Sequence, residues 1–141
     1  MAVSDNKALI MRFYDEVWDR GNVDVALQVF HDDYVRHEVG RTEALPGAAG
    51  QAKVAKDLRA AFSDLRFHVD LILAEDDLVA ARWTAIGTHT GPLGATAPTG
   101  NRVEFSGVNV FRVRDGKVAE IWNHRDDLGL MTQIGAQAPG Q

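Results

Sequence analysis

Alternating apolar and polar positions predict a β-hairpin over residues 102–125, followed by a short helix. Asp115 and Gly116 separate the two alternating runs, and Asp-Gly is a strong hairpin signal because glycine adopts positive φ without a Cβ clash. One face of the first run is apolar except for Asn109. A buried amide without partners costs about 1–3 kcal/mol, so we expect Asn109 to form a buried hydrogen bond or to point into a cavity.

The second strand of the hairpin carries polar residues on both faces, and the turn decides which face joins Asn109. A three-residue loop over residues 114–116, with glycine in a left-handed bulge, places Asn123 beside Asn109. A two-residue Asp-Gly turn places Trp122 and His124 there instead. The bulged loop is the favoured alternative. Either turn brings polar side chains to an otherwise apolar surface.

Segments with the apolar spacing of helices come before the strands in the sequence. Apolar residues recur at every third or fourth position in residues 5–20, 23–30 and 48–62, which predicts three helices. The period then changes to two in residues 67–73 and 78–90, which predicts two more strands. A loop rich in glycine and proline separates these strands from the hairpin.

Helices followed by a curled antiparallel sheet predict an α+β fold, with the N-terminal helices packed on the concave face of a cone-shaped sheet. At 141 residues the chain is expected to form a single domain, over residues 1–135, and residues 136–141 are predicted to be a disordered tail. A bent sheet closed by helices tends to enclose a pocket, where the polar residues of an apolar face collect.

Composition narrows the possible functions. A formal charge of −5 argues against a nucleic acid or an anionic membrane as partner. The absence of cysteine excludes disulfides, thiolate metal sites and cysteine nucleophiles. The five histidines show no ligand-like spacing, so no metal is expected. The sequence also has no Gly-rich phosphate loop, and no other cofactor is expected. No apolar stretch has the length of a signal peptide or a membrane span, which predicts a cytoplasmic protein.

Four segments, in the same order along the chain, resemble the SnoaL-like polyketide cyclases. They are FYDEVWDRGNVDVALQVFHDDYVRHE at 13–38, PGAAG at 46–50, RWTAIGTHTGPLGATAPTG at 82–100 and FSGVNVFRVRDGKVAEIWNHRDDLGLMTQIG at 105–135. The resemblance implies the cone-shaped α+β barrel of the nuclear-transport-factor-two superfamily. That superfamily also includes ketosteroid isomerases, epoxide hydrolases and non-catalytic binding modules, so the fold alone does not define the function.

The resemblance also implies positions for the chemistry. The family's cyclases close a ring by an intramolecular aldol reaction without metal or cofactor, using a carboxylic acid/base on the last long strand and a histidine on the strand before it. Those positions fall on Asn123 and Asn109 in this chain. An amide can hold a carbonyl or enolate oxygen by hydrogen bonding, but it does not take a proton at neutral pH.

Ketosteroid isomerases, which share the superfamily, imply a second arrangement. Their tyrosine, carboxylate base and hydrogen-bonding acid fall on Tyr14, Glu38 and Asn109. His37 is an alternative proton acceptor to Glu38, and only one of these neighbours is expected to point inward. Tyr14 and Asn109 would then stabilise the developing enolate oxygen.

Apolar and aromatic side chains of the first helix and the sheet are expected to form the rest of the binding pocket. The predicted substrate-binding residues are Phe13, Val17, Trp83, His89, Phe111, Ile121, Trp122, His124 and Asp126. The expected ligand is a small apolar or aromatic molecule. Asp127 is the predicted N-cap of the last helix.

Two predictions about function and assembly follow. The favoured function is cofactor-free proton transfer on a small, mostly apolar carbonyl compound, leading to cyclisation or isomerisation. A non-catalytic binding module, or an epoxide or ester hydrolase on the same fold, is the alternative.

The outer sheet face carries Val108, Val110, Glu120 and Trp122 in the bulged register, and such a mixed apolar face predicts a homodimer.

Overall fold

In the computed structural model of the protein, the described residues are 2–38 and 47–135, and the side chain of Glu38 is not among them. The predicted tail, residues 136–141, lies outside this part. The helical segments are α1 (Val3–Arg12), a π-helix (Phe13–Asp19), a 3₁₀ turn (Val23–Val25), α2 (Ala26–Val29), α3 (Gly47–Ala61) and α4 (Asp127–Gln133). The strands are β1 (Phe30–Glu38), β2 (Arg66–Glu75), β3 (Leu78–Thr88), β4 (Arg102–Arg114) and β5 (Lys117–Arg125).

The five strands form one sheet in the order β1-β5-β4-β3-β2. The strands β2 to β5 pair antiparallel with their neighbours, whereas β1 pairs parallel with β5. Parallel pairing needs a long crossover, and here α3 and three strands lie between β1 and β5 in sequence. The predicted α+β fold is confirmed, with a mixed sheet. No helix in the described part of the chain is long and apolar enough to cross a membrane.

The π-helix brings four large side chains into the core from one short segment. Phe13, Tyr14, Val17 and Trp18 are all buried. Because a π-helix bonds residue i to residue i+5, side chains four and five positions apart come close to one face. Segments of this kind are rare and are often found at functional sites. The position of the π-helix therefore singles out the neighbourhood of Tyr14.

The hairpin has the predicted strand register, but its turn differs from the predicted one. Asp115 and Gly116 form a two-residue turn with φ values of 52° and 76°, as in a type I′ turn. The predicted three-residue loop is therefore wrong. A bulge at Ala119 supplies the extra residue instead, and Asn109 lies opposite Asn123 as predicted. The type I′ turn matches the twist of the strands, so the irregularity moves into β5.

The outer face of the sheet, which faces away from the helices, is partly apolar and exposed. Trp122 is half-buried there, with the ring of His37 stacked 5.2 Å away and the guanidinium of Arg112 5.8 Å from the indole centroid. The exposed large apolar side chains of the sheet are Val35, Leu71, Leu73 and Val108. The face on which the homodimer was predicted is thus present, and the dimer itself stays a prediction.

A matched pair of valine substitutions tests the homodimer. Val108 on the outer face and Val3 in α1 are 40% and 38% exposed. If two outer faces pack together, Val108→Lys buries an ammonium group at the interface, whereas Val3→Lys does not. We expect light scattering to give twice the 15.4 kDa chain mass for the unmodified protein and for Val3→Lys, and a monomer for Val108→Lys. A monomeric unmodified protein at micromolar concentration would rule the dimer out.

Candidate functional site

A narrow cavity lies between the inner face of the sheet, the π-helix and α3. Its volume is about 40 Å³, and the cleft including its open mouth holds about 400 Å³ of unfilled space. The cavity alone accommodates a few water molecules, and is smaller than the roughly 300–1,000 Å³ of typical ligand pockets. The lining residues are Phe13, Trp18, Arg36, Gln51, Val54, Leu58, Phe67, Trp83, Asn109, Ile121, Asn123 and Arg125.

A larger groove of about 580 Å³ lies at the β2 edge of the sheet. Much of its lining is charged, including Asp15, Asp19, Arg66 and Asp70, and it opens widely to solvent. None of the sequence-predicted site residues whose side chains the structure describes lines it. We therefore identify the smaller cavity, which contains Asn109 and Asn123, as the candidate functional site.

A buried hydrogen-bond chain crosses the core and ends at the cavity. Asn109 is only 6% exposed, and its Oδ1 accepts from the Tyr14 hydroxyl at 2.7 Å and from Trp83 Nε1 at 2.8 Å. Its Nδ2 donates to Asn123 Oδ1 at 2.5 Å. Both expectations for Asn109 are confirmed, because it forms buried hydrogen bonds and also lines the cavity. We call these four residues the amide chain.

Tyr14 lies at the end of the amide chain that is farther from Asn123. Its ring stacks on Phe67 at 5.5 Å and meets the edge of Phe111 at 6.0 Å. Burial raises the pKa of the Tyr14 hydroxyl well above its usual value, because the phenolate would lose its hydration. The hydroxyl therefore stays protonated at neutral pH. Since it donates to Asn109, its effect reaches the cavity through that amide.

Gly107 allows Trp83 to reach Asn109. Gly107 and Trp83 are opposite each other on β4 and β3. A Cβ at position 107 would lie 2.4 Å from the indole ring and 2.6 Å from the carbonyl oxygen of His124. With no side chain at this position, the indole lies across β4 and its N–H points to the amide. The close approach is therefore a structural requirement of the amide chain.

Two arginines and a glutamine complete the polar wall of the cavity, and sequence reasoning missed all three. Arg36 Nη1 donates to Oε1 of the buried Gln51 at 2.9 Å. Arg125 Nε pairs with Asp127 Oδ1 at 2.5 Å. Gln51 could have been found, because helical spacing places it on the apolar face of α3 that carries Val54. Arg125 could also have been found, because it follows Asn123 by two residues and shares its face in the predicted hairpin register. Arg36 gave no such signal, since the parallel register of β1 was not predicted.

The prediction that His37 could be the inward-facing proton acceptor is wrong. His37 is exposed on the outer face, and its Nε2 lies 2.7 Å from Glu120 Oε2. The parallel register of β1 on β5 places Arg36, the neighbouring residue, on the cavity side. The backbone of Glu38 pairs with Asn123, and the Glu38 side chain is outside the described part.

The predicted pocket positions of Trp122, His124 and Asp126 are also wrong. The bulge in β5 turns Trp122 and the exposed His124 to the outer face. Asp126 caps α4, where its Oδ1 accepts from the Gly129 amide at 2.9 Å. The N-cap predicted at Asp127 therefore belongs to the residue before it.

His89, Val17 and Phe111 are buried but do not line the cavity, so their predicted place in its wall is wrong. His89 is fully buried against Phe62 and lies 3.0 Å from Thr99 Oγ1. Val17 and Phe111 are packed in the core. Phe13, Trp83 and Ile121, in contrast, line the cavity as predicted.

The polar atoms at the cavity suit a partly negative oxygen. The amide chain ends at Asn123, and two guanidinium groups lie in the same wall. Among the side chains that the structure describes, no carboxylate lines the cavity. Prearranged N–H donors of this kind stabilise an oxyanion more strongly than water does, because they need no reorganisation. The described part of the site thus offers hydrogen-bond donors to a bound oxygen.

Substitution of Gly107 tests the close approach of Trp83. Gly107→Ala forces a Cβ against a ring and a backbone oxygen, and overpacking of this kind costs about 1–3 kcal/mol in the free energy of unfolding. Ser106→Ala, at the half-buried neighbouring position on β4, is the control and should change it by less than about 0.5 kcal/mol. Urea denaturation measures both. Equal stability of the two variants would show that Trp83 can move without cost.

The architecture agrees with that of known proteins. The family model of the SnoaL-like polyketide cyclases matches residues 8–134. Aklanonic acid methyl ester cyclase DnrD of Streptomyces peucetius is 26% identical over 133 residues, covering 92% of this chain and 91% of that protein. AclR of Streptomyces galilaeus, for which a hydroxylase activity is suggested, is 30% identical with a TM-score of 0.84, covering 95% of this chain and 98% of AclR.

A further solved structure is that of a protein from Jannaschia sp. CCS1, which is assigned to the SnoaL-like polyketide cyclases. It is 26% identical with a TM-score of 0.85. The similarity covers 96% of this chain and 94% of the Jannaschia protein. Sequence and fold agree along nearly the whole length. The chain therefore belongs to the SnoaL-like polyketide cyclase family.

Proposed function

We propose that this protein is a cofactor-independent enzyme that closes a ring, or shifts a double bond, in a small and mostly apolar carbonyl compound of polyketide type. The observation that carries the proposal is the amide chain, which ends at Asn123 in the wall of the cavity. Membership of a cyclase family supports the reaction class. The aromatic and aliphatic remainder of the wall suits an apolar carbon skeleton.

In the proposed reaction, Asn123 holds the carbonyl oxygen of the substrate. A base removes a proton from the neighbouring carbon, and the electron pair moves onto that oxygen to form an enolate. The N–H of Asn123 stabilises the new charge, with Arg36 and Arg125 in the same wall. The enolate carbon then attacks a second carbonyl carbon and closes the ring. The base returns its proton to the resulting alkoxide.

Glu38 is the proposed proton acceptor. Its backbone pairs with that of Asn123, next to the donor that would hold the substrate oxygen. A carboxylate shielded from water is a stronger base than a solvated one. His37, the alternative weighed from the sequence, lies on the outer face and is bonded to Glu120. The acid/base group is thus proposed to come from β1, while the last strand supplies a neutral donor.

A non-catalytic binding protein is the second candidate. It is favoured by the amides at both Asn109 and Asn123, which cannot exchange a proton at neutral pH. The small volume of the cavity, about 40 Å³, would also suit a protein that closes around its ligand. Such a protein should bind a ligand in a one-to-one complex without converting it.

Turnover of a defined compound separates these candidates. The relative DnrD is named for aklanonic acid methyl ester, so this ester is the first substrate to test. Ring closure leaves the mass unchanged, and chromatography with absorbance detection follows the product. We expect Glu38→Gln to lower kcat by about 10²–10⁴, as for loss of one general base. Asn123→Leu should lower it by about 10²–10³, as for loss of one oxyanion donor.

His37→Gln is the matched control, because it changes the residue next to Glu38 on the exposed face. It should leave kcat within about twofold, since it removes no group from the cavity. Full activity of Glu38→Gln would overturn the assignment of the base. Tight binding of the ester by the unmodified protein, without any product, would instead support the binding protein.

A further inference from the structure

The amide chain could in principle run in either of two directions. An asparagine side chain carries an acceptor oxygen on one side and an NH₂ donor on the other. In one direction Asn109 donates to Asn123, and the NH₂ group of Asn123 remains for the cavity. In the other direction Asn123 donates to Asn109 and presents its oxygen. The two directions select opposite partners, so the group that sets the direction also sets the specificity.

Trp83 is the one member of the amide chain whose role cannot be reversed. An indole nitrogen donates and never accepts, so the atom 2.8 Å from Trp83 Nε1 must be the oxygen of Asn109. The rigid amide then turns its NH₂ group to the other side, where Asn123 lies. Asn123 must accept there with its oxygen, at 2.5 Å. Its own NH₂ group is left on the side away from Asn109.

Tyr14 cannot fix the direction in the same way. Its hydroxyl lies 2.7 Å from the same oxygen, but a hydroxyl can donate or accept. With Tyr14 alone, the amide of Asn109 could rotate by half a turn and still form a hydrogen bond at this end. The two residues contact one atom, yet only the indole excludes the reversed chain.

We propose that Trp83 is a specificity-determining positioning residue, which makes the cavity present an N–H donor and so select ligands through an acceptor oxygen, such as a ketone or an enolate. The contact between Asn123 and the ligand rests on the proposed function. Gly107 is required for this role of Trp83, because only the absence of a Cβ at position 107 allows the indole to lie across β4. A donor at this place can bind the oxygen of a ketone or of an alcohol, whereas the reversed chain would offer an acceptor that only the alcohol can use.

Through-hydrogen-bond scalar coupling in NMR spectra measures the direction in the free protein. We expect a correlation from Asn109 Nδ2 to Asn123 Cγ in the unmodified protein. The opposite correlation, from Asn123 Nδ2 to Asn109 Cγ, would overturn the proposal without any substitution. This measurement stands even if a Trp83 variant does not fold.

Two variants that each remove one donor from the same oxygen provide the matched comparison. Tyr14→Phe should keep the correlation, because Trp83 still fixes the amide. Trp83→Phe should lose or reverse it. An unchanged correlation in Trp83→Phe would contradict the proposal.

The ketone 1-tetralone and its alcohol 1-tetralol, titrated against each protein, measure the consequence for binding. Reversal of the chain deprives the ketone of its donor but offers the alcohol an acceptor. We therefore expect the ratio of ketone affinity to alcohol affinity to fall roughly two- to tenfold in Trp83→Phe, which corresponds to the loss of one hydrogen bond. The ratio should be unchanged in Tyr14→Phe. Equal ratios in both variants would overturn the selectivity.

The same titration distinguishes this inference from the proposed function. Binding at the proposed place should shift the side-chain NH₂ resonances of Asn123. If the correlation runs as expected but neither compound shifts those resonances, the contact between Asn123 and the ligand is wrong. The control of direction by Trp83 is supported in that case, and the proposed function fails separately.

Discussion

One buried oxygen, Oδ1 of Asn109, holds the site together. It accepts from Tyr14 on the π-helix and from Trp83 on β3, while the other end of the same amide binds Asn123 on β5. Leaving any of these buried polar groups unpaired would cost about 1–3 kcal/mol. A single side chain on β4 therefore links the π-helix to both neighbouring strands, β3 and β5.

This constraint also explains how the site can differ from a cavity built on a carboxylate and a histidine. A chain of neutral side chains carries no charge that burial would penalise, and each hydrogen bond polarises the next. It reaches the cavity without placing a charged group in the core. The proton transfer proposed for Glu38 is then separated from the stabilisation of charge at Asn123. The two tasks fall on the parallel neighbours β1 and β5.

Sequence reasoning found Asn109 because a lone amide on an apolar strand face must have a partner. It also placed Asn123 beside Asn109, although the extra residue lies in the strand and not in the turn. It failed for His37, because the parallel partner of β1 comes from the far end of the chain and no local pattern sets that register. The space left by Gly107 was equally hidden, since only the packed structure shows which ring occupies it.

The proposed function requires that Asn123 offer an N–H group to the oxygen of a bound carbonyl compound. Isotope-edited infrared spectroscopy of 1-tetralone labelled with ¹³C at the carbonyl tests it most directly, because a hydrogen bond lowers the stretching frequency of the C=O group. We expect a lowered frequency in the unmodified protein, and a return toward the value in an apolar solvent in Asn123→Leu. The same frequency in both proteins would contradict the account.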